Sequence, residues 1–291
     1  MPILFGVVLL DLIGFGIVIP ILPFLSPQLG ADKLDIAYII VAYAVGAGLF
    51  APLWGRLSDR IGRKPVIMIC LAGAALSYVM LGLASALWMV YVARAFAGSM
   101  AGNVGVASAM MADITRPENR ARGMGLIGAA FGLGLVLGPM LGGLLSGDQP
   151  GFVLPCLVAG VMSVLAMVAA ALFLPESLSP EKRAAAGAQQ SSAGAGSGYR
   201  ILRDGGNGLL VLQFCLHNIC VSSLTYLFPL WAGDTLAWGP RQVGIVFGIQ
   251  GAIMAVVQGG LMGPLVRNLG ELQLLRISVT ALVLGLAMGV F

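Results

Sequence analysis

Charge is scarce in this chain. Only 10% of its 291 residues are Asp, Glu, Lys or Arg, and it holds one histidine, His217, and four cysteines. A water-soluble domain of this length needs a charged surface. The shortage, together with 59% hydrophobic residues and a mean hydropathy of +0.98, excludes one and points to an all-α integral membrane protein. Cys70, Cys156, Cys215 and Cys220 fall inside apolar stretches, with no metal-ligand spacing and no loop pairing, so they read as small core residues. No Ser/His/Asp set, metal-spaced His/Cys cluster or phosphate-binding glycine loop stands at a membrane face, so nothing points to an enzyme, a metal or a cofactor. A net charge of +4 and a pI near 9.0 raise nucleic acid as a partner. The cations sit in short loops between apolar runs, however, and membrane topology explains them better.

What the chain has in abundance is long apolar runs. A helix needs about 20 apolar residues to cross a roughly 30 Å hydrocarbon core. Runs of that kind predict nine spans, near residues 3–25, 36–54, 65–84, 87–111, 123–146, 151–174, 208–231, 241–263 and 273–291. The first has no basic residues before it and is long enough to span, so it does not read as a cleaved signal. Alternate loops then divide by charge. Arg56, Arg60, Arg63, Lys64, Arg116, Arg120, Arg122, Lys182, Arg183, Arg200, Arg203, Arg267 and Arg276 lie on one side, and Lys33 and Arg241 on the other. The positive-inside rule places the first side, with the N-terminus, in the cytoplasm.

Residues 176–206 begin with Pro175 and Glu176 and run into Ala, Gly, Ser and Gln, a composition that predicts a flexible cytoplasmic linker. It separates a six-helix bundle, 1–175, from a segment of three helices, 207–291. The second segment weakly repeats the first. Leu53-Trp-Gly-Arg-Leu57 aligns with Leu261-Met-Gly-Pro-Leu265, the same offset brings Gly62 onto Gly270, and Pro20 to Pro23 fall beside Phe228 to Trp231. Half-to-half repetition is a transporter pattern. Because the copy reaches Phe291 at its third helix, the repeat predicts three further helices beyond it.

Between the second and third spans, Gly55-Arg56-Leu57-Ser58-Asp59-Arg60-Ile61-Gly62-Arg63-Lys64 packs four cations and one anion into a short aqueous turn. Gly-x-Leu-Ser-Asp-Arg-x-Gly-Arg-Lys resembles the loop motif of the major facilitator superfamily at every fixed position. Asp113 in the next cytoplasmic loop is placed to pair with Arg60 or Arg63, and Asp59 to accept backbone N–H groups at a helix start, as latches of a gate. The arginines also serve topology, which explains them equally well one by one.

Asp11 lies within the first span, where an ionised carboxylate costs several kcal/mol unless it is paired, hydrated or protonated. Arg94 is the other charge well inside a span. Each sits about 12 Å along its helix from opposite ends, so the two depths nearly meet and predict a pair, functional or structural. Asp11-x-x-Gly14-x-Gly16 and Pro20-x-x-Pro23 resemble the first-helix motif of drug–proton antiporters, tetracycline exporters among them. Arg94-Ala-Phe-Ala-Gly98 resembles the family's arginine-bearing fourth helix, although Ala97 stands where many members carry Gln. In the fifth span, Gly134, Gly138 and Gly142 recur on one face beside Pro139 and Gly143. As a small-residue strip this is a packing surface. As Gly-x-x-x-Gly-Pro-x-x-Gly-Gly it resembles the motif of the superfamily's antiporters.

His217, with Gln213 and Asn218 nearby, reads as a hydrogen-bonded packing residue or as a second proton-coupling group. Phe15, Tyr38, Tyr43, Met100, Phe214 and Tyr226 are candidates to line an apolar cavity. The resemblance implies a proton-coupled exporter of small amphipathic or lipophilic compounds, working as a monomer in a bacterial cytoplasmic membrane. A symporter of the same fold and a non-transporting fragment or sensor remain its rivals.

Overall fold

The computed structural model describes residues 1–146, 151, 153–178, 205–257 and 262–288. Among them every regular element is a helix. Helix α1 runs over Pro2–Val18. A short turn, α2 (Leu22–Leu25), and a 3-10 segment (Ser26–Leu29) lead to α3 (Lys33–Ile61). Asp32 fixes the start of α3 by a capping box. Its carboxylate accepts the Asp35 N–H at 2.7 Å, and the Asp35 carboxylate accepts the Asp32 N–H at 3.0 Å.

Helix α4 (Arg63–Gly82) follows α3 with one residue between them, Gly62 at φ +110°, a conformation that a side chain would strain. Then come α5 (Leu87–Ser99), α6 (Asn103–Ile114), α7 (Arg120–Ser146) and α8 (Val153–Phe173). After the central segment lie α9 (Gly205–Leu236), α10 (Pro240–Val256), α11 (Met262–Leu269) and α12 (Glu271–Met288). Gly270, the repeat partner of Gly62, also takes a positive φ, +75°, and also stands immediately before a helix.

Among the described residues five stretches are long and apolar enough to cross a bilayer: Pro2–Phe24, Lys33–Ile61, Arg63–Gly82, Pro117–Ser146 and Val153–Phe173. They coincide with five of the expected spans. Helices α9, α10 and α12 fall where the seventh, eighth and ninth were expected. The fourth, expected as one helix over 87–111, is instead two, α5 and α6, broken at Met100–Gly102. The break sits among Gly98, Ser99, Gly102 and Asn103, all weak helix formers. Its cause is tertiary: the Trp54 indole donates to the Ser99 carbonyl at 2.6 Å and packs on Gly102, where a Cβ would come within 2.5 Å of the ring. A helical carbonyl taken by a side chain frees the next turn to bend.

The packing divides into two units, Met1–Gly248 and Ile249–Phe291. In the second, α11 packs on α12. In the first, α1 is central. Its Leu4, Val7, Val8 and Leu12 form a core with Val66, Ile67 and Leu71 of α4 and with Met110 and Met111 of α6. Further along, Ile13 and Ile17 join Tyr78, Leu81 and Val90.

The glycine strip of α7 is what lets α1 sit so deep. A Cβ on Gly138 would come within 2.5 Å of the Gly16 Cα, one on Gly142 would strike the Ile17 carbonyl, and one on Gly134 would strike Leu12. Gly143 faces another way, towards α10, where a Cβ would lie 2.5 Å from the Pro240 carbonyl oxygen and 2.7 Å from the Gly244 Cα. The motif is thus a two-sided backbone contact. The core expectation for the cysteines holds for Cys70 and Cys156, whereas Cys215 is exposed and Cys220 half-buried; all four are free. The loop expected over 176–206 is described only to Leu178 and from Gly205, and residues 179–204 lie outside the described residues, Lys182, Arg183, Arg200 and Arg203 among them.

Candidate functional site

Asp11 and Arg94 are both buried, 7% and 6% exposed, in a structure with few buried charges. The fold brings them to one cavity of about 220 Å³, walled by Phe15, Tyr43, Tyr78, Met100 and Phe131 and reached also by Asn103. A void of about 20 Å³ shares Phe15, Tyr43 and Arg94 as walls and adds Tyr226 of α9.

The expected Asp11–Arg94 ion pair is not what forms. Asp11 Oδ2 accepts a hydrogen bond from Asn103 Nδ2. Asn103 is the first residue of α6, so the α5–α6 break is what turns its side chain to α1. Its Oδ1 accepts the Val104 N–H at 3.0 Å, which leaves the amide nitrogen as the group facing the carboxylate. Arg94 lies with its guanidinium carbon 5.8 Å from the centre of the Tyr43 ring, a cation–π contact, and its Nε is buried without a hydrogen-bond partner. Tyr43 in turn packs on Phe15, ring centres 5.4 Å apart. The reason Tyr43 comes so near is Gly98. A Cβ there would strike the Tyr43 carbonyl, and Gly46 of α3 likewise lies against the Ala95 carbonyl at 2.8 Å from a would-be Cβ. Gly98 of the Arg94-Ala-Phe-Ala-Gly98 motif is therefore the contact that sets the arginine beside the tyrosine.

A second cluster gathers around the Gly55–Lys64 turn. Arg63 pairs with Asp59 at 2.8 Å and with Asp113 at 3.1 Å, and donates to the Ser58 hydroxyl at 2.6 Å. Of the two partners expected for Asp113, the structure brings Arg63; Arg60 is exposed. The start of α4 is capped from elsewhere. Glu176 accepts the Arg63 N–H at 2.9 Å and the Lys64 N–H at 3.2 Å, and Lys64 Nζ donates to the Ala171 carbonyl at 2.7 Å. A carboxylate on the first amides of a helix meets both the unpaired donors and the positive end of its dipole. Gly55 contributes its carbonyl, which accepts from the Ser58 hydroxyl at 2.7 Å, and Gly62 makes the turn. The cluster thus ties the last turns of α3 and α6 and the start of α4 to Glu176 after α8, and Asp113, expected in a loop, stands in the last turn of α6.

Opposite it along α3, Lys33 meets Asp234 of α9 at 2.5 Å with both side chains exposed, 73% and 58%. Phe24 stands beside Gly233 at the same place.

Of the expected cavity residues, Phe15, Tyr43 and Met100 line the main cavity and Tyr226 the smaller one, while Tyr38 is 59% exposed. The side chains of His217, Phe214 and Asn218 lie outside the described residues, as does that of Arg122. Sequence reasoning missed Asn103, Glu176 and Trp54. A polar amide directly after Gly102 inside an apolar run was a signal for the first, and an acid directly after Pro175 for the second. Among the described residues no group of His, Cys, Asp and Glu is arranged to hold a metal ion.

The bundle, the two unpaired buried charges and the capped turn fit a multi-helix membrane carrier. The sequence profile of the Major Facilitator Superfamily matches residues 4–291, and the chain belongs to that family, one of carriers rather than enzymes. It is a multi-pass integral membrane protein. It is 31% identical to tetracycline resistance protein class E of Escherichia coli over 94% of this chain and 68% of that protein. It is 32% identical to the class C protein of Escherichia coli over 97% and 71%. Among solved structures, the human organic anion transporter MFSD10 (TETRAN) superposes with a TM-score of 0.70 at 27% identity, covering 89% of this chain and 70% of that one. The chain thus spans about 70% of the length of these relatives.

Proposed function

We propose that the chain works as a proton-coupled efflux antiporter, exporting small amphipathic or lipophilic compounds by alternating access in a bacterial cytoplasmic membrane. The observation that carries this reading is Asp11, a carboxylate buried in a cavity it shares with Arg94 and bonded to Asn103. A buried carboxylate that gains and loses a proton changes the charge of the cavity, and so its affinity for cargo, without any other rearrangement. The relatives named for tetracycline resistance support export as the direction.

The Arg63, Asp59, Asp113 and Glu176 cluster serves as the gate at the cytoplasmic end, where the positive-inside rule puts it. The bundle of residues 1–175 and the segment 207–291 are the two rocking bodies, joined by 176–206. The Gly143–Gly244 approach and the Lys33–Asp234 pair are contacts between them at the end away from the gate.

Direction is tested with the full chain in inverted and right-side-out vesicles, tetracycline as the probe and a pH gradient imposed, acid on the outside of the cell-oriented membrane. Accumulation in inverted vesicles supports export. Proton-driven accumulation in right-side-out vesicles overturns it in favour of uptake.

A further inference from the structure

We infer that the cavity selects an amphoteric cargo, a compact flat amphipath whose anionic group docks on Arg94 and whose cationic group faces Asp11. This rests on the export reading above and names its substrate class. Three observations carry it. Arg94 is 6% exposed and its Nε has no hydrogen-bond partner, so a buried cation stands with an unused donor at the wall of a cavity. Asp11 shares that cavity, and no ion pair joins the two; the Asp11 contact is the Asn103 amide, which leaves further lone pairs on the carboxylate. Four of the side chains that line the cavity are aromatic: Phe15, Tyr43, Tyr78 and Phe131.

Two opposite charges that line one largely apolar chamber without pairing match a molecule with two opposite charges on a flat frame. A guanidinium takes a carboxylate by parallel N–H donors and loses little by ordering, because its fork is planar. At about 220 Å³ the chamber is smaller than the roughly 300 Å³ at which drug-sized pockets begin, so it takes a compact frame or the doubly charged part of a larger one.

Coupling decides between this class and its neighbours. A purely anionic cargo is repelled by ionised Asp11 and gains when that charge is lost, so it loads together with the proton rather than in exchange for it. A purely cationic cargo leaves Arg94 desolvated and adds a like charge beside it, which is costly. With both groups present, the cargo's cation needs the Asp11 charge and its anion satisfies Arg94. A proton arriving at Asp11 then removes half of the recognition and displaces the cargo.

The test measures equilibrium binding to the full chain in lipid nanodiscs, with no gradient, of four matched probes. These are 4-(aminomethyl)-1-naphthoic acid, its methyl ester, 4-methyl-1-naphthoic acid and methyl 4-methyl-1-naphthoate. The zwitterion is expected to bind about tenfold more tightly than either singly charged probe, equivalent to about 1.4 kcal/mol. Arg94→Gln is expected to erase the advantage given by the carboxylate and keep that of the ammonium, and Asp11→Asn to do the reverse. The inference is overturned if either ionic group adds no affinity in the unaltered chain, or if the carboxylate advantage survives R94Q. The comparison of four probes on the unaltered chain decides the matter even where a variant does not fold. It is also separable from the export reading, because charge preference at equilibrium is read without any proton gradient or direction of transport.

Discussion

Asn103 donates its side-chain amide to Asp11 from the first residue of α6, beyond a break in the fourth span that comes between one and two turns after Arg94. A continuous helix would carry residue 103 on in register with residue 99, whose carbonyl here is taken by Trp54. The carboxylate at the centre of the candidate site is therefore held by a neutral partner, and the arginine across the cavity is left to engage something else.

The Asn103 bond predicts a split phenotype. Asn103→Ala leaves a buried carboxylate without its donor, a loss of about 1–3 kcal/mol. Proton-driven transport in vesicles is expected to fall at least several-fold, with a lower thermal midpoint. Asn103→Ser, which keeps a donor on a shorter arm, should recover part of both. Equal loss in the two variants would mean that the bond does not matter and only the side-chain volume does.

The break itself rests on Trp54 and Gly102. Gly102→Ala drives a methyl into the indole, and overpacking of this kind costs about 1–3 kcal/mol. Transport is expected to drop in Gly102→Ala and not to return when Trp54→Leu is added, because leucine keeps the Cβ and Cγ that crowd the methyl and loses the indole donor to Ser99. Melting curves and flux of the two single variants and the double variant measure it.

Backbone contact between α1 and α7 is predicted to be intolerant at one glycine and indifferent at another on the same helix. Gly138→Val meets the Gly16 backbone and is expected to lower the thermal midpoint and abolish flux. Gly128 has nothing within 4 Å of a would-be Cβ, so Gly128→Ala is expected to be silent or stabilising by up to about 1 kcal/mol.

In the cluster beside Gly62, Arg63 and Asp113 touch, so their effects are not additive. A double-mutant cycle of Arg63→Ala and Asp113→Ala is expected to give a coupling of about 0.5–2 kcal/mol in thermal unfolding. Glu176→Ala uncaps α4 and is expected to cost about 0.5–2 kcal/mol by the same measurement. Lys33→Ala, which breaks a pair exposed on both sides, should change stability by less than about 1 kcal/mol.

Much of this was legible in the sequence, for identifiable reasons. Apolar length located the spans, because hydrocarbon thickness allows few alternatives. The glycines at 134, 138 and 142 announced a close approach, because four-residue spacing keeps them on one helix face. Asp11, Arg94 and the Asp113 partner of Arg63 stood out because charge in or beside a membrane is costly enough to be rare. What escaped was set by tertiary contact. The break at Met100–Gly102 has no Pro, and Gly98, Ser99, Gly102 and Asn103 around it mark a weak stretch without fixing a break; the contact that sets it, Trp54, lies on another helix. Asn103 carries no charge, so its partnership with Asp11 could not be read from depth alone. Glu176 looked like the first residue of a linker, and only the fold shows it on the amides of Arg63 and Lys64. Cys215 follows the same logic in reverse: an apolar run does not say which face of a helix is covered.

The central claim is that Asp11 couples cargo to protons, and it is tested most directly by Asp11→Asn in the full chain reconstituted into proteoliposomes. Tetracycline movement is measured under an imposed pH gradient and, separately, as exchange with no gradient. The account predicts that Asn, which fills the same space without titrating, loses gradient-driven accumulation while exchange without a gradient persists. Accumulation driven by the gradient to the same extent in Asp11→Asn and in the unaltered chain would contradict it.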